Sequence, residues 1–345
     1  MNEVRFVLSR KKVLKQYEKL KELGIKISYS YKTNHEVAKV LQEITSDCDF
    51  SIHAWEEIKE ISDKNRIWFF LQAESEEELG KLLEEGIRNF VVDNEVDLSR
   101  VLKVINEKKI QINLGLRMKC QEHRIGSGKY FVYGMGSKKV NELILEMKDN
   151  EFLKKIGIHI HRKSQNTSEW NIKGDLEDSL EQSVLKIISF VNFGGGLPIQ
   201  YRSHSVDIEK YVFSKIAEAR DWLNSLGIET YIEPGRFIAG PAVKLQTEII
   251  QVYDSIIVLN TTIYNCALDT LIGQNKMFVE GESGEGSSFL IKGNSPTRDD
   301  IFRYKVKLEN PKVGDRITFL NAGAYNYTTD FFGYKKLKTI ITEDL

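Results

Sequence analysis

The chain reads as an α/β protein, a (β/α)8 TIM-like barrel followed by an all-β C-terminal domain. Three observations predict this. Up to Gly240, short apolar runs alternate with longer amphipathic, charged stretches, the pattern of βαβ units with parallel pairing. Eight such units favour a closed barrel, with a doubly wound open sheet as the competing arrangement. Beyond Gly240 the helical period fades and β-like runs dominate. The 345 residues then divide into a barrel over 8–240 and a β domain over 241–345, to which residues 1–7 contribute a strand.

The elements follow in order. A helix over 13–23 (VLKQYEKLKEL) has apolar residues at i, i+3/i+4 and i+7 and precedes the first barrel strand, 26–32 (KISYSYK). Strands two to eight fall at 50–53, 67–72, 90–93, 112–118, 156–161, 188–193 and 230–233. Helical periods over 76–85, 97–108 and 212–226 lie between them. The β domain is read from LQTEIIQVY, SIIVLNTTIY, MFVEGE, SSFLIK, YKVKL and RITFLN, separated by turn signals such as GESGEGSS and KVGD.

Composition narrows the function classes. Hydrophobic residues at 41% supply a full core, and 49 basic against 50 acidic residues argue against a chain built to neutralise nucleic acid or an anionic membrane. No run of 18 apolar residues occurs, and MNEVRFVLSRKK reads as strand then helix rather than a signal peptide, so a cytoplasmic protein is expected. Cys48, Cys120 and Cys266 are too widely spaced for a disulfide framework or a zinc site, so no metal is expected. Lone buried thiols are the simplest reading of Cys48 and Cys120.

Barrel enzymes carry their chemistry at the C-terminal ends of the strands. Here those ends collect Lys32, Arg117, the run His159-Ile160-His161-Arg162-Lys163-Ser164, the triplet Gly194-Gly195-Gly196, and Glu233-Pro234-Gly235-Arg236. The two histidines are expected on opposite faces, with one at most at the mouth. Singly, each feature has an ordinary explanation: a solvated lysine, a tight glycine turn, a surface arginine. Together they make chemical sense. Glycine N–H groups and an arginine suit a phosphate, and a lysine among aromatic residues suits attack on an aldehyde. A carboxylate suits a protonated ring nitrogen, and a histidine suits stacking on a flat ring. That set describes a pyridoxal phosphate site.

The same segments resemble the alanine-racemase-fold decarboxylases, the group acting on ornithine, arginine, diaminopimelate and carboxynorspermidine. Tyr29-Ser30-Tyr31-Lys32-Thr33-Asn34 is similar to the family's Tyr-Ala-Val-Lys-Ala-Asn, and GIHIHRKSQN (157–166) to its G-x-H-F-H-x-G-S-Q. Phe193-Gly194-Gly195-Gly196, Glu233-Pro234-Gly235-Arg236 and Gly323-Ala324-Tyr325 are similar to its Ile-Gly-Gly-Gly, Glu-Pro-Gly-Arg and Gly-Ala-Tyr. The resemblance covers nearly the whole chain. It implies that Lys32 bonds the cofactor aldehyde, His161 stacks on the ring and Glu233 holds the pyridinium. Ser164, Gly235, Arg236 and Tyr325 then fall at the phosphate, and Glu57 supports the lysine region. It also implies a head-to-tail homodimer with shared active sites and a small amino-acid or polyamine-type substrate. A glutamate at the ring nitrogen makes the cofactor a strong electron sink and favours loss of CO₂.

Several positions depart from the family. Its Gly-Pro-Thr-Cys-Asp-x-x-Asp loop resembles Gly293-Asn294-Ser295-Pro296-Thr297-Arg298-Asp299-Asp300, so the product-protonating cysteine falls on Pro296. Thr297, Tyr325 or water are the replacements read from the sequence. The aspartate of its Phe-Asp-Cys-Ala-Ser falls on Ser51, and Arg162 and Lys163 stand near the expected phosphate. The stretch 259–271 is most similar to carboxynorspermidine decarboxylases, placing Asp269 on their aspartate, while Tyr264 stands where diaminopimelate decarboxylases have an arginine. Tyr264, Asp269 and Asp300 are thus expected at the substrate, the two acids suiting a distal ammonium or guanidinium. Two other readings stay open: a racemase or epimerase with Tyr264 or Tyr325 as second base, and a catalytically silent regulator.

Overall fold

The computed structural model describes residues 3–119, 133–203 and 207–345. β1 (Arg5–Ser9) is followed by the eight barrel strands: β2 (Lys26–Ser30), β3 (Asp49–Ile52), β4 (Ile67–Phe70), β5 (Asn89–Val92), β6 (Ile112–Arg117), β7 (Leu153–His159), β8 (Phe190–Asn192) and β9 (Glu229–Ile232). Each pairs in parallel with the next, and β9 returns to β2 through Lys26↔Tyr231 and Ile27↔Ile232, closing the barrel. The open doubly wound alternative is thereby excluded. Helices His35–Ile44, Ser137–Met147 and Ile172–Ser179 join the amphipathic ones read from the sequence.

Trp68, Val91, Phe190 and Tyr231, from four different strands, form a separate buried cluster, with Trp68 and Tyr231 edge-on to Phe190 at 5.0 and 5.7 Å. Large rings fill the interior where small residues leave room, as barrel layers require. A Cβ at Gly157 would lie 2.6 Å from the Phe190 ring. This plug leaves the cavity above it as the open end.

The second unit is a mixed sheet of β1 with β10 (Val243–Tyr253), β11 (Ile256–Leu259), β12 (Phe278–Val279), β13 (Ser287–Lys292), β14 (Ile301–Leu308), β15 (Arg316–Leu320) and β16 (Lys338–Thr342). β1 runs antiparallel to β10 and parallel to β16, so the chain's first strand is locked between two late ones. The run read as a strand over 255–264 is β11 followed by a short helix, Ile263–Cys266. The Asp300 carboxylate accepts the Ile263 N–H at 2.8 Å, satisfying a helix-start donor that the sequence pattern does not reveal. Among the described residues, no helix is long and apolar enough to cross a membrane. Cys48 and Cys266 are buried, and burial pushes both thiols up to about 12. Cys120 lies outside the described residues.

Candidate active site

The first strand ends one turn earlier than its apolar run suggests. β2 stops at Ser30, and Tyr31–Thr33 forms a single 3₁₀ turn. Asn34 then caps helix His35–Ile44, its side-chain oxygen accepting from Glu36 N and Val37 N at 3.0 and 3.2 Å. Its amide also donates to Gly323 O at 2.8 Å, tying the lysine turn to the C-terminal loop. Lys32 is thereby presented to a cavity of about 390 Å³, whose wall includes Ser30, Ser51, His53, Arg117, His159, His161 and Glu233. That is large enough for a small cofactor and substrate.

Glu233 forms the floor. It is 6% exposed and accepts from Ser51 Oγ at 2.8 Å, from Asn192 Nδ2 at 2.9 Å and from His159 Nε2 at 3.0 Å. Ser28 in turn bonds Ser51 at 2.7 Å, and Asn192 accepts Gly194 N at 2.9 Å. Burial alone raises a carboxyl's pKa, but the adjoining His159 and these hydrogen bonds outweigh it and hold the carboxyl well below the usual glutamate range. Glu233 is therefore an anion at neutral pH, inside a low-dielectric pocket.

The expectation for the two histidines is corrected. Residues two apart on a strand share a face, and His159 and His161 lie almost parallel, their ring centres 6.3 Å apart, both on the cavity wall. His161 Nδ1 accepts from Gly195 N at 3.2 Å. The ring is open to the cavity, but its enclosure by the barrel mouth, and then the charge of Arg117, push its pKa down, so it is neutral.

Beside His161 lies a second group of residues. Gly194 and Gly196 have φ of +67° and +100°, and a Cβ at Gly194 would sit 2.2 Å from Ile160 O. A Cβ at Gly235 would meet Thr33 Oγ1 at 2.0 Å, and Tyr325 OH accepts from that same hydroxyl at 3.3 Å. Arg236 is buried between the rings of Tyr201 and Tyr325, 5.4 and 5.2 Å from their centres, and donates to Ser164 Oγ at 3.1 Å and Tyr201 OH at 2.8 Å. Glycine backbone, hydroxyl and guanidinium thus adjoin one end of the cavity.

Three substrate expectations are not met within one chain. Asp269 is buried in a bidentate pair with Arg236 at 2.6 and 2.8 Å, because the guanidinium fork has no other anion among the described residues. Asp300 is fully buried, and its carboxylate is taken by Ile263 N, Ser295 N and Ser295 Oγ. Tyr264 packs on Phe331 and Phe332 at the β-domain surface, not on the cavity wall. Arg162 is likewise turned inward to Asp175 at 2.7 Å, leaving exposed Lys163 as the outer cation. Glu57 contacts His53 and His35 rather than Lys32 itself. The sequence reading missed Asn192 and Tyr201 as supports and His53 on the wall. Alternation along each strand marks Asn192, and His53 closes the run 50–53, where the strand-end rule could have found it.

The residues present fit pyridoxal phosphate. They bring a lysine at the mouth, a neutral flat ring, a buried anion and a glycine cradle next to an arginine. His159 Nδ1 is a buried polar atom without a partner among the described residues.

Residues 10–240 match the family model of the pyridoxal-dependent decarboxylase, pyridoxal binding domain. The chain is 23% identical over 291 residues to a diaminopimelate decarboxylase of Methanothermobacter thermautotrophicus, covering 77% of this chain and 66% of that protein, just under two thirds of its length. It is 23% identical over 317 residues to a carboxynorspermidine/carboxyspermidine decarboxylase of Campylobacter jejuni, covering 82% and 76%. The crystal structure of diaminopimelate decarboxylase from Helicobacter pylori complexed with L-lysine shares the fold, with a TM-score of 0.83 at 19% identity, covering 100% of this chain and 93% of that one.

Proposed function

The chain belongs to the pyridoxal-dependent decarboxylases, and from that premise we propose that it removes the α-carboxylate of a basic amino acid or polyamine-type carboxylate as CO₂, leaving an amine. The observation that carries the reading is Glu233, an ionised buried carboxylate on the wall of the cavity that Lys32 also lines. Pyridoxal phosphate, when bound, supplies an aldehyde for the substrate amine and an electron sink for the bond that breaks. Lys32, on the same cavity wall, would hold that aldehyde. Glu233 keeps a ring nitrogen protonated, and the Ser51, Asn192 and His159 bonds fix the anion without neutralising it. His161 offers a neutral face for stacking. The glycine loop, Ser164 and Arg236 hold a phosphate, with Asp269 orienting the guanidinium. Arg117 adds a cation to the same cavity wall.

The relatives' named substrates, diaminopimelate and carboxy(nor)spermidine, support the basic class. With Asp269 and Asp300 occupied internally, groups that select the distal amine are inferred to come from the second subunit of a head-to-tail dimer. The exposed Phe331 and Phe332 beside Tyr264 are consistent with such a contact. The test is CO₂ release from a panel of amino acids, with lysine, ornithine, arginine, diaminopimelate and carboxyspermidine first. We expect CO₂ in step with amine, and loss of both the cofactor's near-visible absorbance and turnover in Lys32→Ala. Loss of optical rotation without CO₂ would replace this reading with a racemase.

A further inference from the structure

We propose that His53, oriented by buried Glu57, delivers the proton to the product carbon, the part that the resemblance gives to a cysteine and that Pro296 cannot play. The proposal rests on the decarboxylase reading above. His53 stands directly after β3 and lines the same cavity as Lys32 and Glu233. Counting from Ser51, the family's Phe-Asp-Cys-Ala-Ser has alanine at this position, so the imidazole departs from that motif.

The geometry is that of a positioned acid. His53 Nδ1 lies 3.3 Å from Glu57 Oε2. Glu57 is 5% exposed and cannot swing away, because the same oxygen accepts His53 N at 3.0 Å and Ala54 N at 3.2 Å at the start of helix Trp55–Lys59. Burial opposes its charge, but the bonds to His53 and the backbone outweigh it and keep the carboxyl below its ordinary range. A fixed carboxylate at Nδ1 sets the ring orientation and leaves Nε2 for the cavity. The His53 side chain is 48% exposed, so it can be recharged from water. The charged groups around it are Lys32, Arg117 and Glu233 on the cavity wall, and a further titratable ring is His35, which meets Glu57 at 3.8 Å from helix His35–Ile44.

The rival donors are engaged. His159 Nε2 is bonded to Glu233, and His161 is held neutral. Tyr325 OH accepts from Thr33 and its ring faces Arg236, and the Thr297 hydroxyl is taken up by a hydrogen bond with Ser295.

The step balances simply. The bond from Cα to the carboxylate breaks and CO₂ departs without the bonding pair. That pair takes the proton from His53 Nε2, so N–H breaks and Cα–H forms. The imidazolium becomes a neutral imidazole, with its Nδ1–H still on Glu57.

The experiment uses the cofactor-loaded full chain, its His53→Gln and Glu57→Gln variants, and the amino acid that gives CO₂ most rapidly. Cofactor absorbance reports loading, and reaction in D₂O followed by NMR of the amine reports the face that receives deuterium. For His53→Gln we expect unchanged loading, amine formation lowered on the order of 100-fold, and deuterium on both faces. For Glu57→Gln we expect a fall in kcat with KM kept and the acid–base limb of the pH profile displaced. A loaded His53→Gln with wild-type rate and deuterium on a single face overturns the proposal and leaves Lys32 or water as donor. Absence of CO₂ from the wild type with every substrate overturns the decarboxylase reading itself, and the proposal with it.

Discussion

Replacing Asp269 with Asn tests the arrangement at the proposed phosphate end. Arg236 is 5% exposed and Asp269 6%, and two short hydrogen bonds join them. Removing one partner from a buried ion pair costs about 3–5 kcal/mol, because the other charge is left uncompensated. Asn keeps one acceptor oxygen, and Arg236 keeps Tyr201, Ser164 and two ring faces. We therefore place the loss at the low end, about 3 kcal/mol. For a chain of 345 residues that lowers the melting temperature by roughly 4 °C. A phosphate dianion beside Arg236 would replace the missing charge, so the loss should be distinctly smaller in the cofactor-loaded protein. Thermal melts of the apo and loaded forms of wild type and Asp269→Asn measure both effects. Equal losses in the two forms would refute a phosphate at Arg236, and no loss in either would refute the ion pair as a stabilising contact.

Two further outcomes follow from the same geometry. Gly195→Ala puts a Cβ 2.9 Å from Glu233 O and 3.2 Å from His161 Cε1, so it should weaken cofactor retention, read by absorbance after dialysis, and destabilise the fold by about 1–3 kcal/mol in urea titrations. Stability should also fall with pH: the lowered carboxyls of Glu233 and Glu57 contribute fully above the ordinary glutamate value and lose that contribution as pH drops through their folded values. The depressed His161 ring acts in the same direction below the usual histidine range, and Glu233→Gln should flatten the dependence, seen as a smaller drop in urea midpoint between neutral and acid pH.

The barrel was legible because its signal is local and repeated. Eight apolar runs separated by amphipathic helices leave little freedom for anything but parallel pairing, and the rule that chemistry gathers at strand ends drew Lys32, His161 and Glu233 together before any coordinates. The glycine triplet was readable for a similar reason, since each glycine answers a backbone constraint at its own position. The β domain was harder. The first of its two short helices at 263–272 starts on Asp300, distant in sequence, and its leading apolar residues look like a strand when read alone.

Side-chain partners were the least legible part. Asp269 and Asp300 match a motif for basic substrates, yet each is committed to neighbours that sequence position does not reveal, Arg236 in one case and the Ile263 and Ser295 donors in the other. The error over the histidines was of a different kind, a strand periodicity misapplied. His53 passed unnoticed because its meaning lies in the cavity it faces and in the Glu57 beneath it.

By itself, then, the sequence determined the barrel and the order of its motifs, since local periodicity and short motifs encode these directly, while the resemblance puts Pro296 where the family has a cysteine. Only the tertiary structure decided which charges are free to act. A carboxylate's role depends on whether its lone pairs are already taken. That is settled by groups brought within about 3 Å from remote parts of the chain, at a burial where an unpaired charge is too costly to persist.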